Sequence, residues 1–406
     1  MPYRKWVPLA AAAAALGALA APQAAYPVPR PDGLRLDGVG ACDFPMKEQF
    51  EGRPWPLQRV LLDELWQDTR GKGIRVAVID TGVDDTNPQL RDAVDTSAGI
   101  DYTGGGGSDG TVDEVGHGTK VAGIIAARPR TGTGFVGLAP EATVIPIRQN
   151  DGRRNGLDSA MAAAIDHAIA KGAQVINISQ DTTRPLADDS LLGRAVARAV
   201  AEDVVVVAAA GNDGMDGRRR TTYPAGFEGV LAVAASDRNN ERAPFSQAGE
   251  FVGIAAPGVD IVSTVPGDGQ CTDNGTSFAA PYVAGVVALM RAKYPDWTAA
   301  QIIARIEQTA ERSVNGRDAF VGWGVVDPVR ALSGDDAPQD APHPDAPAAG
   351  ARAPEPARLA MSETSRQRSK RYATYALASA AVLVGVVAGA ATVARDLRRR
   401  RVQRHR

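Results

Sequence analysis

Three short stretches carry residue types that can do chemistry together: Ile79-Asp80-Thr81-Gly82, Gly116-His117-Gly118-Thr119 and Asn274-Gly275-Thr276-Ser277-Phe278-Ala279-Ala280-Pro281. They supply a carboxylate, an imidazole and a hydroxyl, each framed by glycine or threonine. A serine hydroxyl is a weak nucleophile at neutral pH. It attacks a carbonyl only where an imidazole takes its proton and a buried carboxylate fixes that imidazole's tautomer and charge. In this reading Ser277 attacks, His117 acts as base and then acid, and Asp80 orients His117. The Asp-Thr-Gly turn alone also suits a paired-aspartate protease, but that chemistry needs a second such aspartate or a dimer and leaves His117 and Ser277 unused.

Each residue needs an element to position it. Ile74-Arg75-Val76-Ala77-Val78-Ile79 is almost continuously apolar, the pattern of a parallel strand buried on both faces, and Asp80 ends it at the carboxyl edge where open α/β sheets build their sites. His117 stands at the start of the apolar helical segment Val121 to Ala127. Ser277 opens another, from Phe278 to Met290, with Pro281 in the first turn where its missing N–H does no harm. A serine at a helix N-terminus lies among free N–H groups that favour a developing oxyanion. Val204 to Ala210 reads as a further strand, running into the turn Gly211-Asn212-Asp213-Gly214. His167, inside the amphipathic segment Ala162 to Ile169, reads as structural.

The order Asp, His, Ser and the Gly-Thr-Ser-Phe-Ala-Ala-Pro stretch resemble the subtilases. The resemblance spans roughly Cys42 to Leu332 and implies a subtilisin-like α/β fold with a mainly parallel sheet and helices on both faces. It also implies peptide-bond hydrolysis through an acyl-enzyme, with no cofactor and no metal in the chemistry. By the same resemblance, Asn212 joins the Ser277 N–H in the oxyanion hole. Ser179, Gln180, Ala209 and Gly211 line the substrate cleft, and Thr222 falls where a glycine usually floors the primary specificity pocket, unless the Arg218 to Thr221 loop shifts the alignment by one residue. A small residue before the scissile bond is then expected. Further stretches, Gly132 to Pro140, Ile147-Arg148-Gln149 and Gly322 to Pro328, are similar to those of the mycosins, the membrane-anchored subtilases of actinobacterial type VII secretion systems. That resemblance implies a cell-envelope protease beside a secretion complex, cleaving exported proteins. The other reading is a scaffold that stabilises the complex while its proteolysis is dispensable.

The sequence departs from the wider family in three places. Gln89 and Arg128-Pro129-Arg130 stand where many secreted subtilases hold calcium, and hard cations need oxygen ligands rather than arginines. The segment 21–58 is too short for a folded inhibitory pro-domain and is expected to wrap the catalytic domain rather than block it. Gln180-Asp181-Thr182 replaces the glycine pair that usually follows Ser179, which narrows the cleft. A cysteine that mycosins carry just before the histidine motif is also missing.

The chain has 406 residues and a formal net charge of −2, but the charge is uneven. Arg4-Lys5 precede an alanine-rich apolar run to Ala21, the pattern of a secretory signal peptide over 1–20. Tyr372 to Ala394 has no charged residue and is long enough to span a bilayer, for which about 20 residues suffice. Seven arginines follow it, from Arg395 to Arg406, and place a basic tail, 395–406, in the cytosol. Set apart from these basic blocks the ectodomain is acidic, which argues against nucleic-acid binding. The peptidase domain is expected over 59–332, a Pro/Ala-rich linker without packed structure over 333–371, and a type I membrane helix over 372–394. Two cysteines, Cys42 and Cys271, suit one disulfide in an exported protein or two free thiols.

Overall fold

The computed structural model describes residues 35–36, 42, 44–46, 48–104, 109–152, 158–334, 337–345 and 363–403, so the expected signal peptide lies outside the described residues. The chain divides into two units, Met1–Ala346 and Pro347–Arg406.

In the first unit the apolar runs become strands of one sheet: β1 (Arg75–Asp80), β2 (Ile100–Asp101), β3 (Thr143–Arg148), β4 (Val175–Ile178), β5 (Val205–Ala209), β6 (Val230–Ser236) and β7 (Ile254–Pro257). Their order is β2-β3-β1-β4-β5-β6-β7 and every pairing is parallel. The runs are apolar at every position because both faces are covered. In β1, Val76 and Val78 join one core, while Ala77 and Ile79 join the other. Helices α1 (His117–Ala126) and α4 (Thr276–Lys293) share the first core. The other core takes in α2 (Asp158–Ala170) and α3 (Leu191–Ala201). Helix α4 is buried on all sides from Thr276 to Arg291, which explains why it shows no amphipathic stripe. Its Gly285 passes so close to Leu138 that a Cβ would lie 2.9 Å from the Leu138 Cβ.

This order sets the place of the site. From β1 the chain adds strands on one side, then crosses to β4 and adds the rest on the other, so the carboxyl ends of β1 and β4 diverge at a switch point. Asp80 ends β1 there, and Ser179 follows β4.

The segment before β1 is fastened to the catalytic unit. Cys42 and Cys271 are joined as a disulfide with their Cα atoms 6.3 Å apart. The Met46 N–H donates to the Asp268 carbonyl at 3.0 Å, the Phe50 N–H to Gln270 Oε1 at 2.8 Å and Trp55 Nε1 to the Val259 carbonyl at 2.9 Å. A two-residue strand, Arg35–Leu36, pairs antiparallel with Gln180–Asp181, in register Arg35 with Asp181 and Leu36 with Gln180.

Beyond Leu332 the expected linker is not featureless. The His343 N–H donates to Gln308 Oε1, and Gln301 Nε2 donates to Asp340, so residues 337–345 run along the helix Ala299–Gln308. In the second unit one helix covers Ser365–Gln403 and so takes in the last residues of that linker as well as the apolar segment. Thr364 and Gln367 cap its start reciprocally, the Gln367 N–H on Thr364 Oγ1 and the Thr364 N–H on Gln367 Oε1. Its apolar window has a mean hydropathy of 2.2, and among the described residues it is the one helix long and apolar enough to cross a membrane.

Candidate active site

Asp80 and His117 meet as their chemistry requires. His117 Nδ1 lies 2.7 Å from Asp80 Oδ1, and both side chains are almost wholly buried. The same carboxylate oxygen accepts the Thr81 N–H at 2.8 Å, so Asp80 holds one orientation and presents one acceptor to the ring. Burial works against a charged imidazole, but the charge and hydrogen bond of Asp80 outweigh it, and the pKa of His117 is held above its ordinary 6.5.

A second acid, which the motifs did not single out, builds the floor beneath this pair. Asp113 is buried, and its Oδ1 accepts Thr81 Oγ1 at 2.7 Å and the Gly116 N–H at 2.8 Å. Its Oδ2 accepts the Thr119 N–H at 2.9 Å and Thr119 Oγ1 at 2.6 Å. Thr81 Oγ1 in turn accepts the Gly118 N–H at 2.9 Å. Asp113 and Thr81 therefore join the end of β1 to the first turn of α1, fixing where Asp80 and His117 face each other. Burial pushes the Asp113 pKa up, and these hydrogen bonds pull against it. The signal available in the sequence was an acid shortly before a helix start, where free N–H groups need acceptors.

Ser277 is the second residue of α4. Its Oγ donates to the Ser179 carbonyl at 3.1 Å, and Ser179 Oγ donates back to the Ser277 carbonyl at 2.9 Å. Asn177 Nδ2 donates to Ser179 Oγ at 3.0 Å. Ser179, expected only as part of the substrate cleft, thus also clamps Ser277. Asn212 Oδ1 accepts the Thr276 N–H at 2.9 Å, and Thr276 Oγ1 accepts the Gly211 N–H at 3.1 Å. With its oxygen used this way, Asn212 keeps its Nδ2 amide as a donor beside the first turn of α4. For a donor that faces a developing oxyanion, as expected of Asn212, removal typically costs about 2.7–4 kcal/mol of transition-state stabilisation.

Several residues expected to line the cleft also stand close together. Ala209 ends β5. Gly211 has φ +96°, and a Cβ there would lie 2.8 Å from Asp181 Oδ2 and 3.1 Å from Thr222 Cγ2. Thr222 is buried and its hydroxyl donates to the Ala210 carbonyl at 2.9 Å. Gln180 is fully buried with neither amide atom partnered among the described residues. At the position of the family's calcium site, Gln89 Nε2 donates to the carbonyls of Arg128 at 2.9 Å and Phe135 at 3.1 Å. His167 Nε2 lies 2.8 Å from the Ala98 carbonyl, a structural contact away from the cleft.

The order of acid, base and hydroxyl along the chain, and the contact of Asp80 with His117, agree with what the comparisons find. The model of the subtilase family matches residues 71–324. Mycosin-4 of Mycobacterium tuberculosis is 39% identical over 93% of this chain and 90% of its own length. The chain belongs to the subtilases, among the mycosins. Mycosin-1 of Mycolicibacterium smegmatis is 37% identical, covering 72% of this chain and 76% of its own. The crystal structure of MycP1 from the ESX-1 type VII secretion system superposes with a TM-score of 0.65 at 33% identity, covering 78% of this chain and 94% of that one. This mycosin is a serine endopeptidase with a subtilisin-like fold.

Proposed function

We propose that this mycosin is a type I membrane protease of a type VII secretion apparatus, cleaving exported proteins outside the membrane with Asp80, His117 and Ser277. The observation that carries the reading is the pairing of a catalytic unit similar to MycP1 with the apolar helix Ser365–Gln403. The apolar stretch 372–394 spans about 35 Å as a helix, enough for a hydrocarbon core of about 30 Å. The arginines after it favour a cytosolic end. In catalysis, Ser277 Oγ passes its proton to His117 as it attacks the peptide carbonyl. Asp80 stabilises the imidazolium, and the Ser277 N–H with Asn212 Nδ2 holds the oxyanion. His117 then returns the proton to the leaving amine.

Substrate specificity is narrow in this reading. A peptide that pairs with Gln180–Asp181 takes the place of Arg35–Leu36, and the unpartnered Gln180 amide awaits a hydrogen-bonding group. Asp181 and Thr222 crowd Gly211 and support a preference for a small side chain before the scissile bond. The test is co-purification of full-length wild type and Ser277→Ala from membranes, with the secreted proteins compared. Both forms should bring down the same secretion-complex subunits, and only wild type should yield shortened exported proteins. Identical secreted proteins from both would favour the scaffold role, and neither binding the complex would overturn the secretion assignment.

A further inference from the structure

One charged pair close to the catalytic residues is used by none of the steps above. Lys120, one helical turn after His117 on α1, places its Nζ 2.7 Å from Asp273 Oδ2, with side chains only 4% and 7% exposed. Asp273 closes the short strand Gln270–Asp273, four residues before the nucleophile, and its Oδ1 accepts the Asn274 N–H at 2.8 Å. The Lys120 ammonium stands 5.6 Å from the centre of the Phe278 ring, and the His117 ring stands 5.4 Å from the same ring. The Lys120 carbonyl is held by Ser263 Oγ at 2.6 Å and the Thr119 carbonyl by Thr264 Oγ1 at 2.9 Å, so this turn of α1 cannot shift alone.

We propose that Lys120 and Asp273 are positioning residues for His117 and Ser277: their bond ties the turn that carries His117 to the loop that delivers Ser277, and Asp273 holds the Lys120 ammonium in a fixed place near the imidazole. Asp80 faces it from β1 and Asp113 from the loop before α1, and both favour the imidazolium. From α4 the uncharged Phe278 sets its ring beside His117, and the strand Ile261–Thr264 contributes the uncharged Ser263 and Thr264 to this turn of α1. Lys120 is the cation that opposes the two acids, and it pulls the His117 pKa down. Buried ion pairs contribute little to stability compared with apolar replacements but cost much when one partner is removed, so a positioning role is a physical reason to keep one here.

The test uses the full-length protein in detergent and three variants: Lys120→Met, Asp273→Asn and the double substitution. The readouts are the pH profile of kcat/KM, kcat and KM separately, and the rate of fluorophosphonate labelling of Ser277. Lys120→Met removes the cation that opposes Asp80 and Asp113, so the acid limb should move up by about one pH unit; Asp273→Asn leaves that ammonium uncompensated, so the limb should move down by less. In the double variant the limb should stay above the wild-type pH, because Lys120 is gone, while kcat and labelling fall about tenfold at unchanged KM, because the tie is gone. Shifts of the two single variants in the same direction, or a melting temperature that falls while every pH profile and labelling rate stays in place, would overturn the proposal. If a single variant does not fold, the double variant decides: native melting with slowed labelling supports the role, and native melting with wild-type labelling refutes it.

Discussion

Thr222→Gly should broaden the enzyme's choice of the residue before the scissile bond. The Thr222 hydroxyl is committed to the Ala210 carbonyl at 2.9 Å, and its Cγ2 lies 3.1 Å from where a Gly211 Cβ would stand. Fixed this way, the methyl fills space beside Gly211, where the proposed specificity pocket lies. Forcing extra atoms into such a site typically costs about 1–3 kcal/mol, which at about 1.4 kcal/mol per tenfold is roughly five- to 150-fold against Phe or Leu. Glycine removes the methyl and the hydroxyl together. The ratio of kcat/KM for paired peptides ending in Ala or Phe before the cleaved bond should therefore drop towards one, while the Ala substrate changes little. Loss of one buried hydrogen bond costs about 1 kcal/mol of stability, so melting should confirm a folded variant before the ratios are read. Wild-type cleavage mainly after Phe, Tyr or Leu, or an unchanged ratio in Thr222→Gly, would refute the reasoning.

Three other outcomes follow from the same geometry. Because Asp80 keeps the His117 pKa above 6.5 and the ring must be neutral to act as base, kcat/KM should fall as pH drops through a value above 6.5; an acid limb well below that would contradict the assignment. Cys42→Ala should lower stability by at most about 4–5 kcal/mol in denaturant unfolding and, by loosening the anchor near Arg35–Leu36, lower KM for peptides. Activity and melting temperature should be indifferent to calcium chelation, since Gln89 already engages the Arg128 and Phe135 carbonyls; a calcium-reversible drop in melting would show another site.

Much of this was legible because the sheet is buried on both faces. Short apolar runs rich in β-branched residues, such as Ile74 to Ile79 and Val204 to Ala210, read as buried parallel strands; Asp80 ends the first and Gly211 follows the second by one residue. Ser277 and His117 announced themselves at helix starts. What stayed hidden depends on contacts between distant segments. The role of Asp113 is visible only once Thr81 and α1 are brought to it. The Lys120–Asp273 bond joins residues 153 positions apart. The two-residue ladder of Arg35–Leu36 has no periodicity to read. The composition of 337–345 signals no core, yet polar side chains of the helix Ala299–Gln308 give its backbone partners. The cysteines left two readings open until their Cα atoms were seen 6.3 Å apart.

In the proposed mechanism Ser277 is a nucleophile activated by His117 and Asp80. Fluorophosphonate labelling of the full-length protein in membranes, wild type beside Ser277→Ala, tests it most directly. Removing the nucleophile of such a triad costs on the order of a million-fold in turnover. Wild type should be labelled at Ser277 and cleave peptide, while the folded variant should do neither; equal labelling of the two would contradict the account.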